Sequence, residues 1–332
     1  MTRLVQIQNP TQRRVALVEE PRLRLLAGVA SIYQLAQEAL ATQTPLLALV
    51  GQRTSSETLD YDPIYLGRSD WRLLPAADHP SEPARTLVSG TGLTHLGSAK
   101  SRQAMHAAAV GETDSMKMFR WGVESGKPAP GTIGIAPEWF YKGNGAVLRA
   151  HGEPLVSPAF AEDGGEEAEI AGVYLVGPDG TPLRLGMAHG NEFSDHKFEK
   201  RNYLNLAGSK MRPCSLGPEL VLDPAFGAVP GTVTIERAGQ VFWTKAIATG
   251  EEGMCHSLAN LEHHHFKFEP HRRPGDLHVH YYGACALSFG EGVQLAAGDV
   301  MVVEFAGFGR ALRNPLAVTA ATAAPVSVPA FP

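Results

Sequence analysis

The sequence predicts an α+β fold that is rich in β-strands, with a small α/β module ahead of the main sheet. The 35 glycines and 24 prolines among 332 residues indicate frequent turns, as in chains built from short strands. Several short segments in the second half alternate apolar and polar side chains, which is typical of half-buried antiparallel strands. One segment near the N-terminus instead carries a helix capping pattern.

The N-terminal module is predicted from a strand at residues 15–18 and a helix at residues 32–42. Ser31 and Gln34 have the spacing of a capping box, which marks the start of that helix. The stretch at residues 75–84 is polar and rich in proline, and this composition is typical of a linker. We therefore place a small N-terminal α/β domain at residues 1–80.

The larger region, residues 85–316, is predicted to be the catalytic domain. Val233 and Ile235 alternate with polar neighbours, as one face of a half-buried strand requires. Residues 317–332 lack periodicity and are predicted to form an extended C-terminal arm. The predicted strands of the larger region lie at residues 220–222, 231–236, 240–244 and 298–305.

Composition excludes several classes of function. The net charge is −5 and no basic stripe is present, so nucleic-acid binding is not expected. No apolar run reaches the roughly 18 residues of a membrane-spanning helix, and no secretory signal opens the chain. The cysteines are odd in number and widely spaced, which favours a reducing compartment. These features predict a soluble cytoplasmic protein.

Two glutamates that open an apolar run give the strongest indication of function. Glu167 and Glu169 are two residues apart, so on a strand their carboxylates lie on one face. Residues 177–180, Gly-Pro-Asp-Gly, predict a turn, and a hairpin about this turn would bring Glu192 back beside the pair. Clustered carboxylates repel one another unless a divalent cation binds them. The alternative is that the pair belongs to a solvated acidic loop.

A set of short segments has an order and spacing that match a known family. In sequence order these segments are Gly92-Leu93-Thr94, Phe140-Tyr141-Lys142-Gly143, Glu167-Ala168-Glu169, Gly190-Asn191-Glu192-Phe193-Ser194, Lys210 with Cys214-Ser215-Leu216-Gly217-Pro218, Pro274-Gly275-Asp276, and Gly298-Asp299-Val300 through Gly307-Phe308-Gly309 to Asn314-Pro315. Over residues 86–316 the chain resembles the fumarylacetoacetate hydrolase superfamily. The resemblance implies a fumarylacetoacetase-type mixed β-sandwich/β-roll catalytic domain and a homodimer.

The resemblance also implies a metal site. It assigns Glu167, Glu169 and Glu192 as ligands of Mg²⁺ or Mn²⁺, and Glu192 stands where the family usually has aspartate. The longer side chain still supplies an oxygen ligand, although it moves that oxygen outward and could shift the metal preference. Lys210 matches a lysine that lies near the metal in the family.

Two serines set this chain apart from the hydrolytic members. Those members often carry a histidine and a glutamate, three residues apart, that activate water for carbon–carbon bond cleavage. Ser98 and Ser101 occupy these positions here, and serine alone is not a general base. Hydrolysis of a diketo acid is therefore not favoured. The segments Ala136-Pro137-Glu138-Trp139-Phe140-Tyr141-Lys142 and Gly190-Asn191-Glu192-Phe193-Ser194-Asp195-His196 resemble the sugar-acid branch of the superfamily, whose members dehydrate 2-keto-3-deoxy sugar acids.

The predicted activity is a dehydratase of non-phosphorylative pentose degradation that converts 2-keto-3-deoxypentonate, such as the arabinonate, to 2,5-dioxopentanoate. The substrate is a small 2-keto acid. One alternative is a hydrolase that cleaves a carbon–carbon bond in a 2,4-diketo-3-deoxy sugar acid. Another is a non-catalytic, cupin-like sugar-acid binding module.

Residue roles follow from the resemblance and from the chemistry of each side chain. Lys210 is the candidate base, provided that a nearby cation lowers its pKa. Glu138 and His95 are candidate proton carriers for the leaving hydroxyl group. His278 and His280 have a cupin-like ligand spacing, but a role in lining the pocket or in structure is favoured over metal ligation. The predicted substrate-binding residues are Lys142, Arg149, Tyr141 and His280.

Overall fold

The computed structural model describes residues 1–105, 113–320 and 325–331. The described chain is strand-rich with shorter helices between strands, which confirms the predicted α+β class. Its strands are β1 Thr2–Gln8, β2 Arg13–Glu19, β3 Arg22–Leu26, β4 Thr54–Asp60, β5 Arg72–Leu73, β6 Thr86–Gly92, β7 Glu138–Asn144, β8 Leu148–Arg149, β9 Leu155–Ser157, β10 Ala168–Val176, β11 Pro182–Asn191, β12 Cys214–Leu216, β13 Leu220–Leu222, β14 Val229–Arg237, β15 Gln240–Thr249, β16 Leu277–Tyr281, β17 Val300–Phe305 and β18 Leu312–Val318.

The helices are short and lie between strands. The α-helices are α1 Ile32–Thr42, α2 Leu46–Arg53, α3 Tyr61–Tyr65, α4 Leu96–Met105, α5 Asp114–Ser125, α6 His196–Arg201, α7 Leu206–Lys210 and α8 Leu258–Phe266. Short 3₁₀ turns occupy Pro83–Arg85, Gly145–Val147, Tyr203–Asn205, Glu269–Arg272 and Ser288–Glu291.

The start of α1 agrees with its predicted cap. Ser31 Oγ accepts a hydrogen bond from the Gln34 backbone N–H at 3.0 Å, so the serine satisfies one free donor of the first turn. Gln34 Oε1 accepts from the Ala30 N–H at 2.9 Å, one residue before the partner that a capping box would use. The helix then buries Leu35 and Ala36 against the main sheet.

The described strands form two sheets that pack face to face. The main sheet has 13 strands, whose principal order is β4-β3-β2-β1-β13-β11-β10-β16-β6-β7, and the second has five strands in the order β15-β14-β17-β18-β9. Ile170 and Met187 of the main sheet pack with Val233 and Phe305 of the second in one buried cluster. The opposite face of the main sheet buries residues such as Ala171 in a separate cluster. The central hairpin is therefore covered on both faces.

The N-terminal strands continue the main sheet. β1 pairs antiparallel with β13 through Leu4 and Leu220, and β2, β3 and β4 follow outward in order. The segment at residues 75–84, predicted as a linker, contains no strand and only the beginning of a 3₁₀ turn. The domain boundaries themselves remain a prediction.

The predicted hairpin after the glutamate pair is present as β10 and β11. Gly177 N–H donates to the Thr181 carbonyl at 2.8 Å, which closes the turn. Glu169 pairs with Gly190, and Ala168 pairs with Asn191. The register therefore returns the segment containing Glu192 beside the first two glutamates, as the turn position predicts.

Two further observations concern the sequence expectations. Among the described residues, no helix is long and apolar enough to cross a membrane. Cys214, Cys255 and Cys285 are all free thiols, as their odd number and wide spacing predict.

Candidate active site

Three buried carboxylates converge where β10 begins and β11 ends. Glu167, Glu169 and Glu192 each place a carboxylate oxygen within 4.8 Å of the others. The two strands are tied at this point because the Glu192 N–H donates to the Glu167 carbonyl at 2.9 Å. The side chains are buried rather than solvated, so the alternative of a solvated acidic loop is wrong.

Glu169 has the least compensated charge of the three. Its Oε2 accepts a hydrogen bond from the Gly283 backbone N–H at 2.7 Å. Its Oε1 is buried without a hydrogen-bond partner among the residues that the structure describes. Burial, followed by the charges of Glu192 and Glu167, raises the pKa of Glu169 well above its ordinary value. An additional positive charge in the cluster would remove this repulsion.

Lys210 joins two of the carboxylates. Its Nζ donates to Glu167 Oε1 and to Glu192 Oε2 at 2.9 Å, and it lies 4.7 Å from the centre of the Phe140 ring. Burial alone would lower the pKa of Lys210, but Glu167 and Glu192 outweigh burial and raise it. The lowered pKa that we predicted for a base is therefore not produced by these residues alone. A divalent cation that shared the carboxylates would oppose the rise.

Glu167 is held as an anion by Lys210 and His196. His196 Nε2 lies 3.0 Å from Glu167 Oε1, and Lys210 contacts the same oxygen. Burial works against ionisation of Glu167, but Lys210 and His196 outweigh it and hold the pKa of Glu167 well below the ordinary value. Adjacent carboxylates of one cluster thus have opposite pKa shifts, which is common at functional sites.

Lys142 lies beneath the third carboxylate. Its fully buried Nζ donates to Glu192 Oε1 at 2.6 Å and to the Phe193 carbonyl at 2.7 Å. Ser194 Oγ donates to the same Glu192 oxygen at 3.1 Å. The ammonium predicted to bind the substrate carboxylate therefore already binds Glu192. Its observed contacts fix the orientation of a candidate metal ligand.

Glu138 borders this cluster within a network of its own. Arg102 Nη1 and Tyr203 OH donate to Glu138 Oε1 at 2.7 Å and 2.8 Å. Glu138 Oε2 is buried and has no hydrogen-bond partner in the described part of the chain. Glu138 lies on the same face of β7 as Phe140, whose ring centre is 4.7 Å from Lys210 Nζ, and its role as a proton carrier stays a prediction.

Tyr141 and His280 lie on the faces of their strands that point away from the carboxylates. Along β7 the alternate residues Glu138, Phe140 and Lys142 are buried. Tyr141 lies between Phe140 and Lys142, on the other face of the strand, and is 39% exposed. The structure therefore does not bring Tyr141 to the site.

The register of β16 against β10 shows that His280 also points away from the carboxylates. His280 pairs with Gly172, and its neighbour Tyr281 pairs with Ala171. Ala171 is two residues from Glu169, so Tyr281 shares the carboxylate face and His280 lies on the other face. There His280 belongs to a buried histidine cluster: its Nδ1 lies 2.8 Å from Ser89 Oγ, while His278 Nδ1 lies 2.9 Å from His265 Nε2. The prediction that His278 and His280 have a structural role agrees with this placement.

Arg149 and His95 have local partners. Arg149 Nη1 donates to the Ala146 and Leu148 carbonyls at 2.8 and 2.9 Å, so its guanidinium supports a loop. The His95 ring nitrogens lie 3.0 and 3.1 Å from the hydroxyl groups of Thr94 and Thr249, and burial lowers the pKa of His95 to about 4. Neither residue contacts a glutamate of the cluster through these bonds.

The donor set fits the predicted divalent cation. Three carboxylates supply hard oxygen ligands of the kind that Mg²⁺ and Mn²⁺ take, and the unpartnered oxygen of Glu169 faces repulsion that a cation would relieve. Glu167, Glu169 and Glu192 are the residues that would hold it.

Several functional contacts carry no clear signal in the sequence. His196 follows the third glutamate by four residues, and only the fold shows that its ring returns to Glu167. Arg102 and Glu199 are far apart in sequence and meet as an ion pair at 2.8 Å. Ser98, at a position where the hydrolases have their dyad, donates to the His95 carbonyl at 2.9 Å, as an ordinary helix serine does.

Comparison with known proteins supports the fold. No family model and no curated protein matches the sequence. Among solved structures, a 2-keto-3-deoxy-D-arabinonate dehydratase in its apo form aligns with a TM-score of 0.70 and 18% identity, covering 96% of this chain and 99% of that one. The same enzyme complexed with magnesium and 2,5-dioxopentanoate aligns with a TM-score of 0.69, 17% identity and the same coverage.

An isomerase has the same architecture. The 2-hydroxyhepta-2,4-diene-1,7-dioate isomerase from Mycobacterium marinum aligns with a TM-score of 0.58 and 18% identity, covering 97% of this chain and 100% of that one. The likeness thus spans dehydratases and isomerases and includes nearly the whole chain. The resemblance that the sequence motifs indicate is confirmed at the level of the fold, which this chain shares with these dehydratases and isomerases.

Proposed function

We propose that the protein is a divalent-metal-dependent dehydratase that converts a 2-keto-3-deoxypentonate, such as the arabinonate, to 2,5-dioxopentanoate. The observation that carries the proposal is the buried cluster of Glu167, Glu169 and Glu192 with Lys210 at its edge. It lies within a fold shared with a dehydratase whose structure contains magnesium and this product.

The reaction removes one molecule of water. A proton leaves C3, and the hydroxyl group on C4 departs as water after it gains a proton, which leaves a C3–C4 double bond. Proton shifts then move one hydrogen from C5 and one from its hydroxyl group to C3 and C4, which converts the C5 alcohol to the aldehyde. The cation, when bound by the three glutamates, supplies positive charge that polarises the 2-keto group and acidifies the C3 proton. The protein must provide a proton acceptor for C3 and a proton donor for the departing hydroxyl group.

Lys210 and Glu138 are the residues that we assign to these proton transfers. Lys210 Nζ lies against Glu167 and Glu192, beside a substrate bound at the cluster. Its role as proton acceptor requires a cation that shares these carboxylates and opposes the rise in the pKa of Lys210. Glu138 keeps one buried carboxylate oxygen free of partners, which is available to exchange a proton with the C4 hydroxyl group. His95 is enclosed by two threonine hydroxyl groups and is assigned no direct step.

The serines at the hydrolase positions favour dehydration over carbon–carbon cleavage. Ser98 donates its hydroxyl group to a backbone carbonyl, and Ser101 lines a surface cavity of about 310 Å³ with Phe289 and Gly290. Lys197 and Lys200 also line this cavity, but among the described residues neither serine is hydrogen-bonded to a histidine ring or a carboxylate, so neither has the partner that activates water in a histidine–glutamate dyad.

A product assay with the purified protein tests the proposal. The 2-keto-3-deoxypentonate isomers are incubated with Mg²⁺ or Mn²⁺, and the products are separated and identified. Formation of 2,5-dioxopentanoate by the wild-type protein and its loss in Glu169→Gln are the expected results. Release of pyruvate from a 2,4-diketo-3-deoxy sugar acid would instead identify a hydrolase, and saturable binding without turnover would identify a sugar-acid binding module.

A further inference from the structure

A buried arginine on α4 links two carboxylates that belong to different elements. Arg102 Nη1 donates to Glu138 Oε1 on β7 at 2.7 Å. Its Nε lies 2.8 Å from Glu199 Oε1 on α6, as an ion pair. Burial alone would lower the pKa of Arg102, but Glu138 and Glu199 outweigh burial and raise it. Arg102 is therefore a permanent cation that holds α4, β7 and α6 together.

The contacts leave Glu138 with one bound and one free oxygen. Arg102 and the hydroxyl group of Tyr203 both donate to Oε1, whereas Oε2 is buried without a partner in the described residues. Gly92 faces this free oxygen across the β6–β7 pairing. A Cβ atom at Gly92 would lie 1.7 Å from Oε2, so the carboxylate occupies space that any other residue there would fill.

The network lies within electrostatic reach of the carboxylate cluster. Glu167 raises the pKa of Arg102 after the larger effects of Glu138 and Glu199. Phe140, two residues from Glu138 on the same face of β7, has its ring centre 4.7 Å from Lys210 Nζ. Glu138 and Arg102 therefore border the cluster that would bind and deprotonate a substrate.

We infer that Arg102 is a positioning residue that acts through Glu138, fixing its carboxylate so that Oε2 alone faces the substrate. This inference rests on the proposed dehydratase, in which Glu138 exchanges a proton with the leaving hydroxyl group. Tyr203 supports the same oxygen, and Glu199 holds the other side of the guanidinium. Because Arg102 belongs to α4, the proton-transfer group is correctly oriented only when this helix packs against β7 and α6.

A double-mutant cycle tests whether Arg102 acts through Glu138. We expect Arg102→Met to lower kcat by about 100-fold, within the usual contribution of proton-transfer groups, with KM and Mn²⁺ affinity changed less than about threefold. In the Glu138→Gln background the same change should have almost no further effect on kcat, because the group that it orients is gone. A further fall of about 100-fold in that background would show independent roles and overturn the inference.

A second triad in the same fold provides a matched control. Arg184 and Tyr174 donate to Glu262 Oε1 at 2.7 and 3.0 Å, the same arrangement as that of Arg102 and Tyr203 around Glu138. It lies at the turn end of the hairpin, away from the carboxylate cluster. Arg184→Met is expected to retain kcat. An equal loss of kcat in both variants would indicate a general structural effect and overturn the inference.

A second variant, Arg102→Lys, keeps the test valid if Arg102→Met fails to fold. Arg102→Met leaves two buried carboxylates without their cation, whereas Arg102→Lys retains a positive charge. Lysine keeps the charge but cannot span both carboxylates, and we expect its kcat to lie between wild type and Arg102→Met.

Crystal structures of these variants give a result even if the wild-type protein turns over none of the proposed substrates. The inference requires the Glu138 carboxylate to leave its place beside Tyr203 while Glu167, Glu169 and Glu192 stay in position. An unmoved Glu138 would contradict it, whereas absence of wild-type turnover alone would contradict only the proposed function.

Discussion

The Lys142 ammonium lies 2.6 Å from Glu192 Oε1, and neither side chain is exposed to solvent. The lysine lies on β7 and the glutamate follows β11, so the ion pair joins the two sides of the site. Lys142 also donates to the Phe193 carbonyl, which fixes the backbone just after the candidate ligand. The pair explains how a carboxylate can be buried here in a defined orientation.

Lys142→Met is expected to destabilise the protein by about 3 kcal/mol, because breaking a buried ion pair costs about 3–5 kcal/mol and Lys210 still neutralises part of the charge of Glu192. Urea unfolding measures the change. Lys245→Met is the control, since Lys245 and Glu291 form an ion pair in which both side chains are 43% exposed, and its loss should cost less than about 1 kcal/mol. A variant of Lys142 with wild-type stability and only a raised KM would instead support the predicted contact with substrate.

Glu169→Gln should abolish activity and metal activation and leave the fold intact. The pKa of Glu169 is raised by burial and by Glu192 and Glu167, so a neutral side chain relieves repulsion and should not lower stability. Activity, Mn²⁺ affinity and thermal unfolding are measured together, with Glu262→Gln as a control outside the cluster. Metal-dependent activity in the Glu169 variant would show that the metal does not depend on the three-glutamate site.

Addition of a divalent cation should stabilise the wild-type protein. A ligand that binds only the folded state at about 100 times its Kd contributes roughly 2.7 kcal/mol, which thermal unfolding detects as a rise in Tm. Chelation should reverse the rise and abolish turnover, and Mg²⁺ or Mn²⁺ should restore both. The same Tm rise in Glu169→Gln would locate the stabilising ion somewhere else.

The buried histidine cluster should make the protein sensitive to acid. Burial, with smaller contributions from neighbouring histidines, lowers the pKa values of His278 and His280 to about 3. Between a pH of about 6.5, the ordinary histidine pKa, and a pH of about 3, the unfolded state binds protons that the folded state does not. The stabilisation is therefore fully present above a pH of about 6.5, and it is lost as the pH falls toward about 3.

The loss should approach about 1.4 kcal/mol per pH unit for each such histidine. Urea unfolding of wild type and His278→Gln at about pH 7 and about pH 5 isolates the effect, because other groups titrate equally in both proteins. The variant should show the shallower decline. Equal slopes would mean that His278 does not titrate differently in the folded and unfolded states.

The sequence was sufficient for the features that depend on local pattern. The turn at residues 177–180 set the register of β10 and β11, and this register predicted that Glu192 joins Glu167 and Glu169. The cap at Ser31 predicted the observed start of α1. Motif order predicted the fold, although individual segments were weak.

Contacts between distant elements could not be predicted in the same way. Tyr141 and His280 lie beside site residues in sequence, but alternation along β7 and β16 turns them to other faces. Strand alternation could have corrected both assignments once the faces of Phe140 and Tyr281 were known. Arg102 and His196 had no pattern to mark them, because their partners depend on how α4 and α6 pack over the sheet.

The pairing of β1 with β13 means that residues 1–80 are not a removable appendage. β13 lies between β1 and β11 in the sheet, and Val221 of β13 pairs with Met187 of β11. Truncation ahead of β6 would turn an interior strand into an open edge with free N–H and C=O groups, which is the kind of surface that recruits other chains. We therefore expect the isolated larger region to aggregate. In the whole chain the N-terminal strands cover this edge of the sheet that carries the glutamates.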